Sequence, residues 1–127
     1  MPFVRIDLIR GKPVEYRKAL GEIVYKAMTD LIGVPDGDKF QVITEHASEE
    51  LNISEGYLGN RYSKDIILIQ ITLSSGRTVE LKKTFYKRVA DDLARLGVRR
   101  EDVFINLVEV PKQNWSFGNG EMQYEPQ

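Results

Sequence analysis

Three residues could do proton chemistry together: Pro2, Arg77 and Asp38. Pro2 follows Met1, and a small second residue is the usual context for removing an initiator methionine. Removal leaves Pro2 with a free secondary amine. A free α-amine has an ordinary pKa of about 8, and burial or a nearby cation lowers it. A guanidinium such as Arg77 has that effect and also binds a carboxylate through two parallel hydrogen bonds. A neutral amine takes a proton from an enol or an activated C–H and returns it elsewhere, and a protonated one polarises a carbonyl. Asp38 could hold a water or the ammonium, or be an ordinary helix-to-strand turn residue. Arg77 could equally be a solvated surface cation, and Pro2 the first residue of a strand, where no ladder donor is needed.

Other chemistries are poorly supplied. The chain of 127 residues has no cysteine, which excludes disulfides, thiol catalysis and Cys-ligated zinc. Its one histidine, His46, has no spaced partner for a metal site or a Ser-His-Asp triad and reads as a loop or strand-end residue. No metal and no cofactor are expected. Lys and Arg number 18 against 19 Asp and Glu, so no basic surface points to nucleic acid. No apolar run is long enough for a membrane, and Arg5, Asp7 and Arg10 interrupt any signal-peptide core. The expectation is a single soluble, cytoplasmic domain over residues 1–127.

The elements that must position these groups are visible through an internal repeat. "FVRIDLIRGKPVEYRKAL" from Phe3 aligns with "LIQITLSSGRTVELKKTF" from Leu68, pairing Ile6 with Ile71, Gly11 with Gly76, Val14 with Val79 and Glu15 with Glu80. "GVPDGDKFQVITE" aligns with "GVRREDVFINLVE", pairing Gly33 with Gly97, Asp38 with Asp102 and Glu45 with Glu109. The units cover about 2–46 and 66–110, and an aromatic tail, 111–127, follows.

Each unit reads strand, helix, strand. Val4, Ile6 and Leu8 alternate with charged residues in a strand from Phe3 to Ile9, and Tyr16, Leu20, Ile23, Ala27 and Leu31 recur at helical spacing between about Val14 and Leu31. Gly33 and Pro35 end that helix, and "FQVITE" is the next strand. "IILIQITL" from Ile66, the stripe Phe85, Val89, Leu93 and Leu96 with a stop at Gly97, and "VFINLVEV" from Val103 repeat the order.

A strand-helix-strand unit this short favours a parallel pair with a right-handed crossover. The predicted fold is α/β in two layers: duplicated β-α-β units forming a four-stranded mixed sheet, with both helices on one face. Its first strands lie antiparallel at the centre under a pseudo-two-fold axis. That topology sets the start of the first strand, Pro2, beside the end of the third, where "SSGR" places Arg77. The mirror position pairs Lys12 with a continuous chain and offers no free amine. One unit supplies a possible active site and the other a silent copy. The strand from Ile66 reads as apolar on both sides, so the uncovered face calls for another copy of the chain. The tail, with Trp115, Phe117 and Tyr124, either packs on a neighbour or lines a pocket. The connection 47–64 is longer than usual and hints at a role in assembly or in the site.

Nearly the whole chain resembles the tautomerase superfamily, and more narrowly its malonate semialdehyde decarboxylase group. The resemblance rests on Pro2 after the initiator, "IDLI", "GVPDGDKFQ", "FYK" after the second turn and, most specifically, "WSFGNG". It implies a tautomerase-like fold, a homotrimer whose sheets form an inner barrel, and cofactor-independent catalysis. In that light Pro2 matches the catalytic proline, Asp38 the acidic residue that positions or activates water, and Arg77 the second arginine of an arginine-x-arginine motif. Trp115 and Phe117 match the hydrophobic wall of the pocket. Ser75 stands where the decarboxylase has its first arginine, so one carboxylate anchor is replaced at a substrate-facing position. The implied activity is enol-keto tautomerisation of a small 2-oxo acid or unsaturated carboxylic acid. Malonate semialdehyde decarboxylation and hydration are the alternatives, and a non-catalytic ligand-binding or structural trimer is the reading if Met1 is retained.

Overall fold

Alternating apolar residues commit the strands to one buried side, and two amphipathic helices supply what buries it. The computed structural model describes residues 1–125; the last two residues of the aromatic tail lie outside the described residues. In chain order come β1 (Pro2–Ile9), α1 (Val14–Leu31), β2 (Gln41–His46), a short hairpin of β3 (Gly56–Tyr57) and β4 (Asn60–Arg61), β5 (Ile67–Ser74), α2 (Val79–Arg95) and β6 (Val103–Val110). The main sheet has the order β2-β1-β5-β6. Its outer pairs are parallel and its central pair, β1 with β5, is antiparallel. This is the duplicated β-α-β arrangement read from the repeat. β1 begins one residue before the expected Phe3, because Pro2 already pairs with Leu73. β5 begins one residue after Ile66.

Val4, Ile6 and Leu8 of β1 and Ile67, Ile69, Ile71 and Leu73 of β5 bury one sheet face against Leu20, Val24, Ala27 and Met28 of α1 and Phe85, Val89 and Leu93 of α2. Fully burying a side chain of this kind contributes roughly 1.5–3 kcal/mol each. Both helices stop where the sequence places a glycine that can enter the left-handed region, Gly33 at φ 73° and Gly97 at φ 102°. Thr78 caps α2 by accepting a hydrogen bond from the Leu81 N–H at 3.2 Å.

The duplication extends to individual bonds. Glu45 accepts from the Gly11 N–H at 3.1 Å and lies 3.7 Å from Arg17. Its counterpart Glu109 accepts from the Gly76 N–H at 3.4 Å and pairs with Lys82. The Arg10 N–H donates to the His46 carbonyl at 2.7 Å, as the Ser75 N–H does to the Val110 carbonyl at 3.1 Å. The pattern also runs past the strands: a single 3-10 turn follows each unit, Ser48–Glu50 in one and Lys112–Asn114 in the other. Leu51 and Ile53 therefore hold the places in the connection that Trp115 and Phe117 hold in the tail.

The uncovered sheet face is less apolar than the Ile66 strand implied. Its side of β5 carries Leu68, Gln70, Thr72 and Ser74, because strand alternation turns every isoleucine of β5 towards the helices. Gln70 donates to Asn106 across the β5–β6 pair at 3.1 Å, and His46, at the end of β2, lies 2.6 Å from Asp7. Phe3, Val42, Phe104 and Val108 form exposed apolar ground around these polar groups. The connection is ordered rather than irregular: Arg61 N–H donates to Glu101 at 2.6 Å and Ser63 N–H to Asp102 at 2.8 Å. Among the described residues no helix is long and apolar enough to cross a membrane.

Phe85 is completely buried between the helices and the sheet. Replacing it with alanine should lower stability by about 3–5 kcal/mol, measured by urea unfolding at fixed protein concentration.

Candidate active site

The site forms where the chain starts. Pro2 is buried opposite Leu73, so Met1 comes level with Ser74, the last residue of β5, just before the turn that carries Arg77. The Val4 N–H donates to the Phe40 carbonyl at 2.9 Å and draws the segment after α1, with Asp38, against the first residues of β1. The consequence falls on the terminal amine, which belongs to Met1 in this structure. Burial and the positive charge of Arg77 hold its pKa below the usual α-amine value; Asp38 opposes them and Lys112 adds to them. The structure therefore brings the chain's terminal amine, Arg77 and Asp38 within electrostatic reach of one another.

Arg77 is not a free surface cation. Its Nε–H donates to the Ile32 carbonyl at the end of α1 (3.0 Å), and Nη1 donates to the Ser74 carbonyl at the end of β5 (2.7 Å). It makes no ion pair among the described residues. Fixing Nε in this way removes the side-on mode of carboxylate binding; Nη1 has given one of its two N–H groups to Ser74, so one N–H of Nη1 and both of Nη2 are left for a ligand.

The comparison with the silent half explains why the site exists only once. Asp102, the counterpart of Asp38, is 1% exposed. It accepts from the Ser63 N–H (2.8 Å), from the Ser63 hydroxyl (2.5 Å) and from Arg99 (3.2 Å). The connection thus occupies the place that the terminal amine occupies beside Asp38. Lys12, the counterpart of Arg77, is paired with Asp65 at 3.0 Å, and that hydrogen bond pushes its pKa up. A cavity of about 230 Å³ lies at this pole, walled by Ile9, Leu51, Ile53 and Ile66 on one hand and by polar residues such as Ser48, Glu55 and Lys64 on the other.

The tail lies over the end of β5. The Trp115 indole N–H donates to the Ser74 hydroxyl at 3.2 Å. Phe117 stacks on Trp115 with ring centroids 5.6 Å apart, and Tyr124 meets Phe117 edge-on at 5.1 Å. Lys112 closes this row, 5.8 Å above the Tyr124 ring. Ser75 is exposed beside Ser74, with its N–H given to Val110. Sequence reasoning placed Trp115 and Phe117 in the tail but missed Ser74 and Lys112. Ser74 was legible only as the strand's last residue, and Lys112 only as one charge among many.

The comparisons with known proteins agree with this architecture. A family model described as "Tautomerase enzyme" matches residues 38–118, and a second with the same description matches residues 2–60. "Probable tautomerase YusQ" from Bacillus subtilis (strain 168) is 39% identical over 124 residues, covering 97% of this chain and 98% of that protein. The crystal structure of FG41 malonate semialdehyde decarboxylase inhibited by 3-bromopropiolate superposes with a TM-score of 0.88 at 33% identity, over 96% of this chain and 93% of that one. A fused 4-OT described as a symmetric trimer gives a TM-score of 0.76 at 26% identity, over 94% of each chain. Matched over most of its length and sharing the duplicated sheet, the chain is a member of the tautomerase enzyme family.

Proposed function

We propose that this protein is a cofactor-independent tautomerase that uses the amine of Pro2, exposed when Met1 is removed, as general acid and base on a small 2-oxo acid. The observation that carries this reading is the convergence of the chain's terminal amine, which is Met1's in this structure, with Arg77 and Asp38 at the open end of β1, where burial and Arg77 lower that amine's pKa. Loss of Met1 moves the terminal nitrogen one residue into the strand, to Pro2, which is buried.

In the enol-to-keto direction the neutral Pro2 nitrogen removes the enol hydroxyl proton. The electron pair of the O–H bond becomes the new C=O, and the enol double bond takes a proton at carbon from the Pro2 ammonium. The net change is isomerisation, with no external oxidant or hydride. Arg77 holds the substrate carboxylate through the Nη1/Nη2 end of its guanidinium, and Asp38 steadies the ammonium while the proton is in transit. Trp115 and Phe117 form the apolar wall beside the substrate, and Ser75 offers a neutral hydroxyl at the rim. Proton transfer of this kind is worth about 10²–10⁴ in rate.

The structural likeness to a malonate semialdehyde decarboxylase favours a second reading, in which the Pro2 ammonium polarises a carbonyl and Arg77 holds the carboxylate that leaves as carbon dioxide, or the site hydrates an unsaturated acid. The likeness to a fused 4-OT trimer, together with the exposed Phe3, Val42, Phe104 and Val108, supports a homotrimer joined through the open sheet face.

Processed protein should convert phenylenolpyruvate to phenylpyruvate, followed by loss of the enol absorbance, and Pro2→Ala should lower kcat/KM at least about 10²-fold. Equal rates reject the role of Pro2, and carbon dioxide release from malonate semialdehyde that depends on Pro2 selects the second reading. Intact mass should show protein lacking Met1. A preparation that retains it has an amide at Pro2 and should be inactive in the same assay.

The pH profile carries a signed test. The base form is the neutral amine, so activity rises with pH through the amine's pKa. Arg77→Ala removes a charge that lowers this pKa and should move the rising limb to higher pH. Asp38→Asn removes a charge that raises it and should move the limb to lower pH.

A further inference from the structure

Ser74 is 8% exposed and ends β5 with its side chain on the face turned away from the helices. It holds two groups at once. Its carbonyl accepts from Arg77 Nη1 at 2.7 Å, and its hydroxyl accepts from the Trp115 indole N–H at 3.2 Å. We propose that Ser74 is a positioning residue that sets the distance between the carboxylate-binding guanidinium and the aromatic wall, and so the size of the substrate's apolar part. This inference rests on the function proposed above for Arg77 and Trp115.

The internal repeat provides the control. Ile9 ends β1 at the place equivalent to Ser74, and Leu51 follows the turn Ser48–Glu50 as Trp115 follows Lys112–Asn114. An isoleucine serves at that place in the other half, where Ile9 and Leu51 are two of the aliphatic walls of a mixed cavity. The fold therefore does not require a hydroxyl there. The hydroxyl and the indole occur together only in the half that contains the amine.

The mechanism of positioning is orientational. Trp115 lies in a tail that crosses the strand end without being part of the sheet. Stacking on Phe117 fixes the plane of the ring but resists sliding within that plane poorly. A hydrogen bond from the indole N–H fixes the remaining freedom, because the donor must point at one oxygen. Through Ser74 the same residue that restrains Arg77 by its main chain restrains Trp115 by its side chain.

Trp115 is the only tryptophan in the chain, so its environment can be read directly. In full-length processed protein, Ser74→Ala removes the acceptor but keeps the carbonyl that holds Arg77. Its Trp115 emission should shift to the red and be quenched faster by acrylamide. Its KM for phenylenolpyruvate should rise about three- to tenfold, the range expected for one lost hydrogen bond, with kcat changed less than about twofold. Ser74→Thr, which retains the hydroxyl, should restore both emission and KM. In a Trp115→Phe background, Ser74→Ala should add nothing to KM. Emission and quenching in Ser74→Ala that match the unaltered protein overturn the proposal whatever the activity. Altered emission with unchanged KM in an active enzyme overturns the link to substrate. Absence of any turnover in the unaltered protein counts against the proposed function, while the fluorescence comparison still decides whether Ser74 holds Trp115.

Discussion

The antiparallel pairing of β1 with β5 is the constraint from which the rest follows. With Pro2 opposite Leu73, the beginning of the chain can only emerge beside the turn that bears Arg77. Strand register is set by which side chains face the core, and here Val4, Ile6, Ile69 and Ile71 fix it. A slip of one residue would turn these side chains to the open face and carry the amine away from its cation. Core packing and the geometry of the candidate site are therefore one property of this protein.

A duplicated sheet generates two such poles, and the structure makes them unequal through charge. At one pole Asp38 faces the terminal amine. At the other, Asp102 is buried and satisfied by Ser63 and Arg99. Arg77 is anchored by main-chain carbonyls and has no ion-pair partner among the described residues, whereas Lys12 is paired with Asp65. The same backbone thus holds a candidate site at one end and a structural joint at the other. What separates them is whether a carboxylate finds its partner within the chain.

The elements were legible because their signals are local. The repeat of Gly11 with Gly76 and of Glu45 with Glu109 announced two units, and the helical stripes of Leu20 and Phe85 identified what covers the sheet. That the chain starts beside the end of β5, the strand that leads to Arg77, was legible too, since it follows from topology alone. Less visible were facts that depend on side-chain direction. The alternation that buries Ile67, Ile69 and Ile71 leaves Gln70 and Thr72 outside, so an apolar-looking strand presents a mixed face. That Nε of Arg77 is already engaged by Ile32, far away in sequence, carries no sequence signature at all. Nor does the bond from Trp115 to Ser74, which joins a tail to a strand without any periodic pattern.

The segment that links the two halves bears on how far this architecture can be rearranged. The N-terminus and the 47–65 stretch lie at opposite ends of the central β1–β5 pair, so the two poles of the sheet can be exchanged in thought by circular permutation. A permutant opened before β5 would carry its new terminal amine beside Lys12 and Asp102, provided its old ends were bridged. There it would meet a lysine already claimed by Asp65, and a carboxylate stripped of Ser63 if the cut fell after that residue. The scaffold would survive such reordering more readily than the charge arrangement around its terminal amine would.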